Sequence, residues 1–230
     1  MEKLLGEART FPQNSFFLPI RIIQFRQRGR GSRTEKDYFL RREDYTKSMK
    51  SLLVFDCFGV LFDEIAPVVL RRYFGDSLGE AIKNEYFPRI DRGELDQEEA
   101  FKEWERRFGI PASEFKRAWV EQTHPRLANL ERVKELSKIH DICLLSNAPK
   151  GMVEQLFLLQ GMEPYFKKIY SSSALHLIKP EKEIYEYVQK DMGPNYSYTM
   201  IDDNPANLVV PRELGWDTIL FRGVQDLKDL

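Results

Sequence analysis

Ser51-Leu-Leu-Val-Phe-Asp56-Cys-Phe-Gly59 reads as a short buried strand that gives way to a loop. The run from Ser51 to Phe55 is apolar and rich in β-type residues, and a carboxylate and a glycine end it. In an open parallel sheet, ligands bind beyond the carboxyl ends of the strands. Asp56 therefore stands where chemistry is done. Met49 lies just ahead of the strand, and the compact domain is expected to begin there. Residues 1–48 hold eleven Lys and Arg against six Asp and Glu, and Arg26, Arg28, Arg30 and Arg33 surround Gly29 and Gly31. That composition predicts a basic, disordered arm, appended or even non-native. Glu2, Glu7, Glu35 and Asp37 argue against a transit peptide, which is poor in acids.

Downstream of the first strand the pattern changes. From about Glu64 to Leu130, charged residues interleave with Leu, Phe, Trp and Ile, and Gly75, Pro88, Gly93 and Gly109-Ile-Pro111 punctuate the stretch into several helices. A single crossover helix needs only about a dozen residues. This stretch is several times longer, so residues 64–130 are expected to form a helical cap over a sheet. Residues 49–63 and 131–230 then make the core domain. Strand and helix alternate there: Asp141–Leu145 as strand, Gly151–Leu159 as helix, and Lys168–Tyr170 as strand. Pro180–Met192 follows as helix, Tyr198–Ile201 as strand, Asn204–Leu214 as helix and Thr218–Phe221 as strand. Such alternation implies a parallel α/β sheet.

Composition narrows the function classes. A chain of 230 residues suits one domain with a modest insertion, and 42% apolar residues supply a core. The formal charge of −1 gives the chain as a whole no footprint for nucleic acid, and no nucleic-acid partner is expected for the core. Two cysteines, Cys57 and Cys143, lie in apolar runs and read as buried thiols of a reducing, cytoplasmic compartment. No stretch reaches the roughly 18 apolar residues that a membrane helix needs. The nearest, Phe16 to Phe25, is broken by Pro19 and Arg21. Oligomeric state is not encoded in any pattern here.

Three strands end in polar residues: Asp56, Ser146-Asn147 and Asp202-Asp203. Lys179 opens the helix after a further strand, so these groups should converge on one sheet edge. Three carboxylates left together repel, and at least one pKa rises. A hard cation removes the conflict, and Mg²⁺ takes one or two carboxylates with water and phosphate oxygens. Acids, a cation and one lysine suit phosphoryl transfer, in which a carboxylate attacks while positive charge steadies the phosphate.

The four segments also resemble a known family. Val54-Phe-Asp-Cys-Phe-Gly-Val-Leu-Phe62, Leu144-Leu-Ser-Asn147, Lys179-Pro180 and Ile201-Asp-Asp-Asn-Pro-Ala-Asn207 are similar, in order and spacing, to the four motifs of the haloacid-dehalogenase-like (HAD) hydrolases. The resemblance spans about residues 50–225. It implies a Rossmann-like parallel sheet with a helical cap inserted after the first strand, the C1 type of subfamily I. It also implies that Asp56 attacks phosphorus and becomes an aspartyl-phosphate. Mg²⁺ is then held by Asp56, the backbone carbonyl of Phe58 and Asp203. Asp202 supports Lys179 or a metal-bound water. Ser146, the backbone around Asn147, and Lys179 bind the phosphate of a small phosphorylated substrate, which the cap selects.

One position departs from the family pattern. Phosphatases of this family usually carry a second Asp two residues after the nucleophile, as general acid and base, and this chain has Phe58. That loss is worth roughly 10²–10⁴-fold, and poor leaving groups suffer most. Glu64 or a cap residue is the available substitute. An aromatic residue here is also similar to the metal-free 2-haloacid dehalogenases, but those carry small polar residues in place of Asp202-Asp203. A regulatory relative without turnover is the remaining alternative. His124, His140 and His176 lack metal-ligand spacing, and Trp104 and Trp119 are expected to pack the cap rather than line a substrate box.

Overall fold

The computed structural model describes residues 49–230. The expected basic arm at 1–48 lies outside the described residues. Strand β1 (Lys50–Phe55) occupies the middle of a five-stranded sheet. It is flanked by β2 (Asp141–Ser146) and β4 (Tyr196–Asp202), with β3 (Lys168–Ser171) and β5 (Asp217–Leu220) at the edges. All four pairings are parallel. Both faces of β1 are buried, as parallel sheets require. Leu53 and Phe55 face one core with Val133, Leu144 and Phe157, while Leu52 and Val54 face the other with Cys143, Ile184 and Met200. The chain moves outward from β1 to β2 and β3, then crosses back to β4 and β5. The sheet therefore reverses direction beside β1, where its carboxyl edge opens a crevice.

Between β1 and β2 run four helices: α1 (Ala66–Asp91), α2 (Gln97–Phe108), α3 (Ala112–Gln122) and α4 (Leu127–Leu136). The first three share their own apolar cluster, with Val69, Ile82, Tyr86, Phe101, Trp104, Phe115 and Trp119 at its centre. Asp96 caps α2 by accepting from the Glu98 N–H at 2.8 Å, and Gly109 closes it in the left-handed conformation. Helix α1 breaks at Gly75 as expected, but it runs through Pro88. The carbonyl of Asn84, deprived of its partner by Pro88, belongs to an exposed residue, and the buried Ile82, Tyr86 and Ile90 hold the helix together across it.

The chain leaves the sheet region and re-enters it at one place. The Asp63 N–H donates to the His124 carbonyl at 2.9 Å, and the Arg126 N–H donates to the Leu61 carbonyl at 2.9 Å. The Arg126 guanidinium pairs with Asp63 at 2.8 Å. After β2 come α5 (Met152–Gln160), the single turn α6 (Ser172–Leu175), α7 (Lys182–Met192) and α8 (Val209–Glu213).

Two expected helices need correction. Pro180 does not open a helix: α7 starts at Lys182, and Lys179 stays in a turn whose N–H donates to the Asn147 side chain at 2.8 Å. The stretch 204–214 is not one helix but a 3₁₀ turn, Pro205–Leu208, followed by α8. Pro211 has no N–H to offer the Asn207 carbonyl one turn back, and that carbonyl accepts from the Tyr185 hydroxyl at 2.8 Å.

Candidate active site

Strand register builds the site. Phe55 pairs with Leu144 on one side and Ile201 on the other. Asp56 and Asp202 therefore end neighbouring strands at the same level, with Asp203 one residue beyond. The three carboxyl groups each offer an oxygen within 4.8 Å of the others. Lys179 lies between two of them, its ammonium 2.8 Å from Asp56 Oδ1 and 2.6 Å from Asp202 Oδ2. This cluster is dry: Lys179 is 3% exposed, Asp56 8% and Asp202 0%.

Asp202 is fully engaged. Its Oδ1 accepts from the Asn204 N–H at 2.9 Å, and Asn207 Nδ2 lies 3.0 Å from both oxygens. With Lys179 on Oδ2 as well, it orients the lysine and has little left for a ligand. Asn147 braces the same lysine from the other side, donating to the Lys179 carbonyl at 2.9 Å and accepting from its N–H. Asp56 is held through one oxygen only. Its Oδ1 takes the Lys179 ammonium and the Cys57 N–H at 2.7 Å, while Oδ2 has no hydrogen-bond partner among the described residues.

The loop after β1 is shaped around the acids. Gly59 adopts φ +80°, and a Cβ there would lie 2.1 Å from Asp203 Oδ2, so only glycine lets that carboxylate approach. The carbonyls of Cys57, Gly59, Val60, Leu61 and Phe62 all accept hydrogen bonds. Among the described residues nothing donates to the carbonyl of Phe58. The free oxygens at this end of the sheet are thus Asp56 Oδ2, the Asp203 carboxylate and that carbonyl. An all-oxygen set with two acids fits a hard divalent cation.

The electrostatics agree with that fit. Burial pushes the Asp56 carboxyl up to about 8, with Lys179 opposing and Asp202 adding to the rise. Asp203 is raised by burial and then by Asp202. Burial disfavours the charge on Lys179, but Asp202 and Asp56 overcome it and raise its pKa. Three acids share one ammonium, so the site lacks positive charge.

A cavity of about 260 Å³ opens over the cluster. Asp56, Phe58, Asn147, Lys179 and Asp203 line its floor. Ser146 is not among its lining residues and is fully buried beneath Asn147. Met152, Ile65, Phe87 and Trp119 form apolar walls, and Trp119 also packs in the helical core, so it serves both roles the sequence set against each other. Lys83, Phe87 and Asp91 also face the cavity. Sequence reading missed these three, although their spacing of four residues places them along one side of α1. His176 uses Nδ1 to reach the Arg92 carbonyl at 2.7 Å.

A sheet of this order, with a lysine-bridged acid cluster at the end of its central strand, defines a class of hydrolase. Residues 50–215 match the family model of haloacid dehalogenase-like hydrolases, and the chain belongs to that family. It is 24% identical over 168 residues to the sesquiterpene phosphatase astK of Aspergillus oryzae, across 70% of this chain and 85% of that one. It is 26% identical over 183 residues to a D-ribitol-5-phosphate phosphatase of Bacteroides thetaiotaomicron, across 72% and 89%. The fold superposes with a TM-score of 0.64 on a HAD-family enzyme of Bacteroides thetaiotaomicron solved with magnesium and inorganic phosphate. That match is 21% identical and covers 78% of this chain and 98% of that one. No described helix is long and apolar enough to cross a membrane.

Proposed function

We propose that this chain is a Mg²⁺-dependent phosphatase that hydrolyses a small phosphoric monoester or acyl phosphate through an aspartyl-phosphate on Asp56. The observation that carries the reading is the meeting of Asp56, Asp202 and Asp203 beside one cavity, with Lys179 bridging the first two. Asp56, the Phe58 carbonyl and Asp203 would hold the Mg²⁺, which supplies positive charge to the phosphate and lets Asp56 stay ionised. Asp56 attacks phosphorus through one carboxylate oxygen, and its other oxygen would stay toward the cation and Lys179. Lys179 holds that carboxylate in place and neutralises charge on the phosphate, while Asp202, braced by Asn207, keeps the lysine charged and aimed. Asn147 fixes the Lys179 backbone. Water then releases phosphate.

Two phosphatases among the relatives support the reaction class. The helices at 64–130 act as the cap, and Ile65, Phe87, Trp119 and Met152 suit a leaving group with apolar carbon. The acid cluster argues against a metal-free dehalogenase, in which all three carboxylates would remain uncompensated.

The test is a panel of phosphorylated metabolites, with and without Mg²⁺, on the parent and Asp56→Asn. The expected result is hydrolysis abolished by EDTA and by the substitution. Equal hydrolysis by Asp56→Asn sinks the mechanism. Failure to bind beryllofluoride with Mg²⁺ favours a regulatory protein without turnover. Chloride release from 2-haloacids in EDTA would return the dehalogenase reading.

A further inference from the structure

We propose that Asp91, at the end of α1, is the proton donor and acceptor that residue 58 does not provide, an inference that rests on the phosphatase reading. The position is built, not incidental. The two residues that follow α1 are fastened to the sheet domain by three contacts. Arg92 pairs with Glu181, the His176 Nδ1–H donates to the Arg92 carbonyl at 2.7 Å, and Gly93 lies so close to Ser173 that a Cβ would sit 2.7 Å from its carbonyl oxygen. Asp91 is thereby fixed in the lining of the cavity that Asp56 and Lys179 also line. Phe58 also lines this space, so position 58 supplies no acid.

The surroundings tune it for proton transfer. Burial pushes the Asp91 carboxyl up to about 7, against the opposing charges of Lys83 and Lys179. The charged groups facing this space are Lys83 on α1, Lys179 ahead of α7, and Asp56, Glu64 and Asp203 on the loops that follow β1 and β4. Glu64 is the rival acid, but Asp203 is its foremost charged neighbour, which ties it to the cation side. An acid whose pKa lies near the working pH can both give and take a proton.

The steps balance. As Asp56 forms its bond to phosphorus, the ester P–O bond breaks and the leaving oxygen takes the Asp91 proton, giving alcohol and aspartyl-phosphate. The Asp91 carboxylate then removes a proton from water. The water oxygen bonds to phosphorus, the P–O bond to Asp56 breaks, and phosphate leaves with Asp91 protonated again.

The test compares hexyl phosphate, whose alkoxide needs a proton, with p-nitrophenyl phosphate, whose phenolate does not, on the full chain with Mg²⁺. Asp91→Asn should slow hexyl phosphate hydrolysis by about 10²–10⁴-fold. With p-nitrophenyl phosphate it should release close to one equivalent of nitrophenolate per site at nearly the parent rate, then stall as aspartyl-phosphate accumulates. The parent should lose hexyl phosphate kcat/KM as pH rises through about 7, a limb absent from the variant's residual activity. Phe58→Asp added to Asp91→Asn should restore hexyl phosphate hydrolysis. An Asp91→Asn enzyme with no stall and an unchanged pH profile overturns the assignment. So does the burst-and-stall pattern in Glu64→Gln with none in Asp91→Asn, or a double variant as slow as Asp91→Asn. A parent that forms no aspartyl-phosphate at all removes the phosphatase reading itself, and this inference with it.

Discussion

Lys179 carries two buried carboxylates on one ammonium, and its removal strands both. Lys179→Met should lower stability by about 3–5 kcal/mol, the usual cost of leaving a buried charge unpaired, and should abolish hydrolysis. A urea titration of the metal-free protein reads the first effect, and an unchanged midpoint would deny the pair any structural role. Among the described residues the Asn207 side chain hydrogen-bonds to Asp202, so Asn207→Ala leaves the acids in place but frees Asp202 to turn. A loss of about 10–100-fold in activity is expected, as for other groups that orient the residues at a reaction centre. The mainly acidic cluster was legible in the sequence because strand ends converge at a sheet edge by topology alone. The open carbonyl of Phe58 was legible only through family likeness, since which carbonyl stays free depends on every hydrogen bond in its loop. Asp91 was not legible: nothing near it in the sequence marks it apart from the other acids of the helical stretch.

At the scale of elements, the loop after β1 holds Gly59 at φ +80° against Asp203. Gly59→Ala should cost about 1–2 kcal/mol from the left-handed backbone alone. It should also displace the Asp203 carboxylate and weaken Mg²⁺ binding, measured by calorimetry. Unaltered Mg²⁺ affinity would show that Asp203 is no part of the metal site. The strands were readable because β1, β2 and β4 are short apolar runs buried on both faces. Helix boundaries around proline were less so. Pro88 sits inside α1 because its neighbours on the buried side carry the helix, whereas Pro180 and Pro211 mark places where Asn147 and Tyr185 capture backbone groups that a helix would use. Such captures join residues far apart in the chain, and no local pattern reports them.

For the whole molecule, pH and cation should act together on stability. The carboxyls of Asp56 and Asp91 stand at about 8 and about 7, above their ordinary 3.8. Between these limits the folded protein keeps protons that the unfolded chain has released. Stability is therefore greatest at the acid end and declines as pH rises through 7 to 8. Mg²⁺ held as proposed would compete with the proton on Asp56, so its stabilising effect should grow over the same range. Thermal unfolding in EDTA and in Mg²⁺ from pH 5 to 8 measures both. Parallel curves with no divergence would mean that the cation does not bind at the acid cluster.

The hydrogen bonds between Asp63 and His124, and between Leu61 and Arg126, bring the two ends of the intervening segment side by side. A stretch that departs and returns at one doorway adds nothing to the distance its host must close, however long it grows. On the phosphatase reading proposed above, substrate choice can then drift by exchanging or lengthening that module while Asp56 stays where it is. The three fastenings beyond α1 limit that freedom, because they join the module to the machinery it serves.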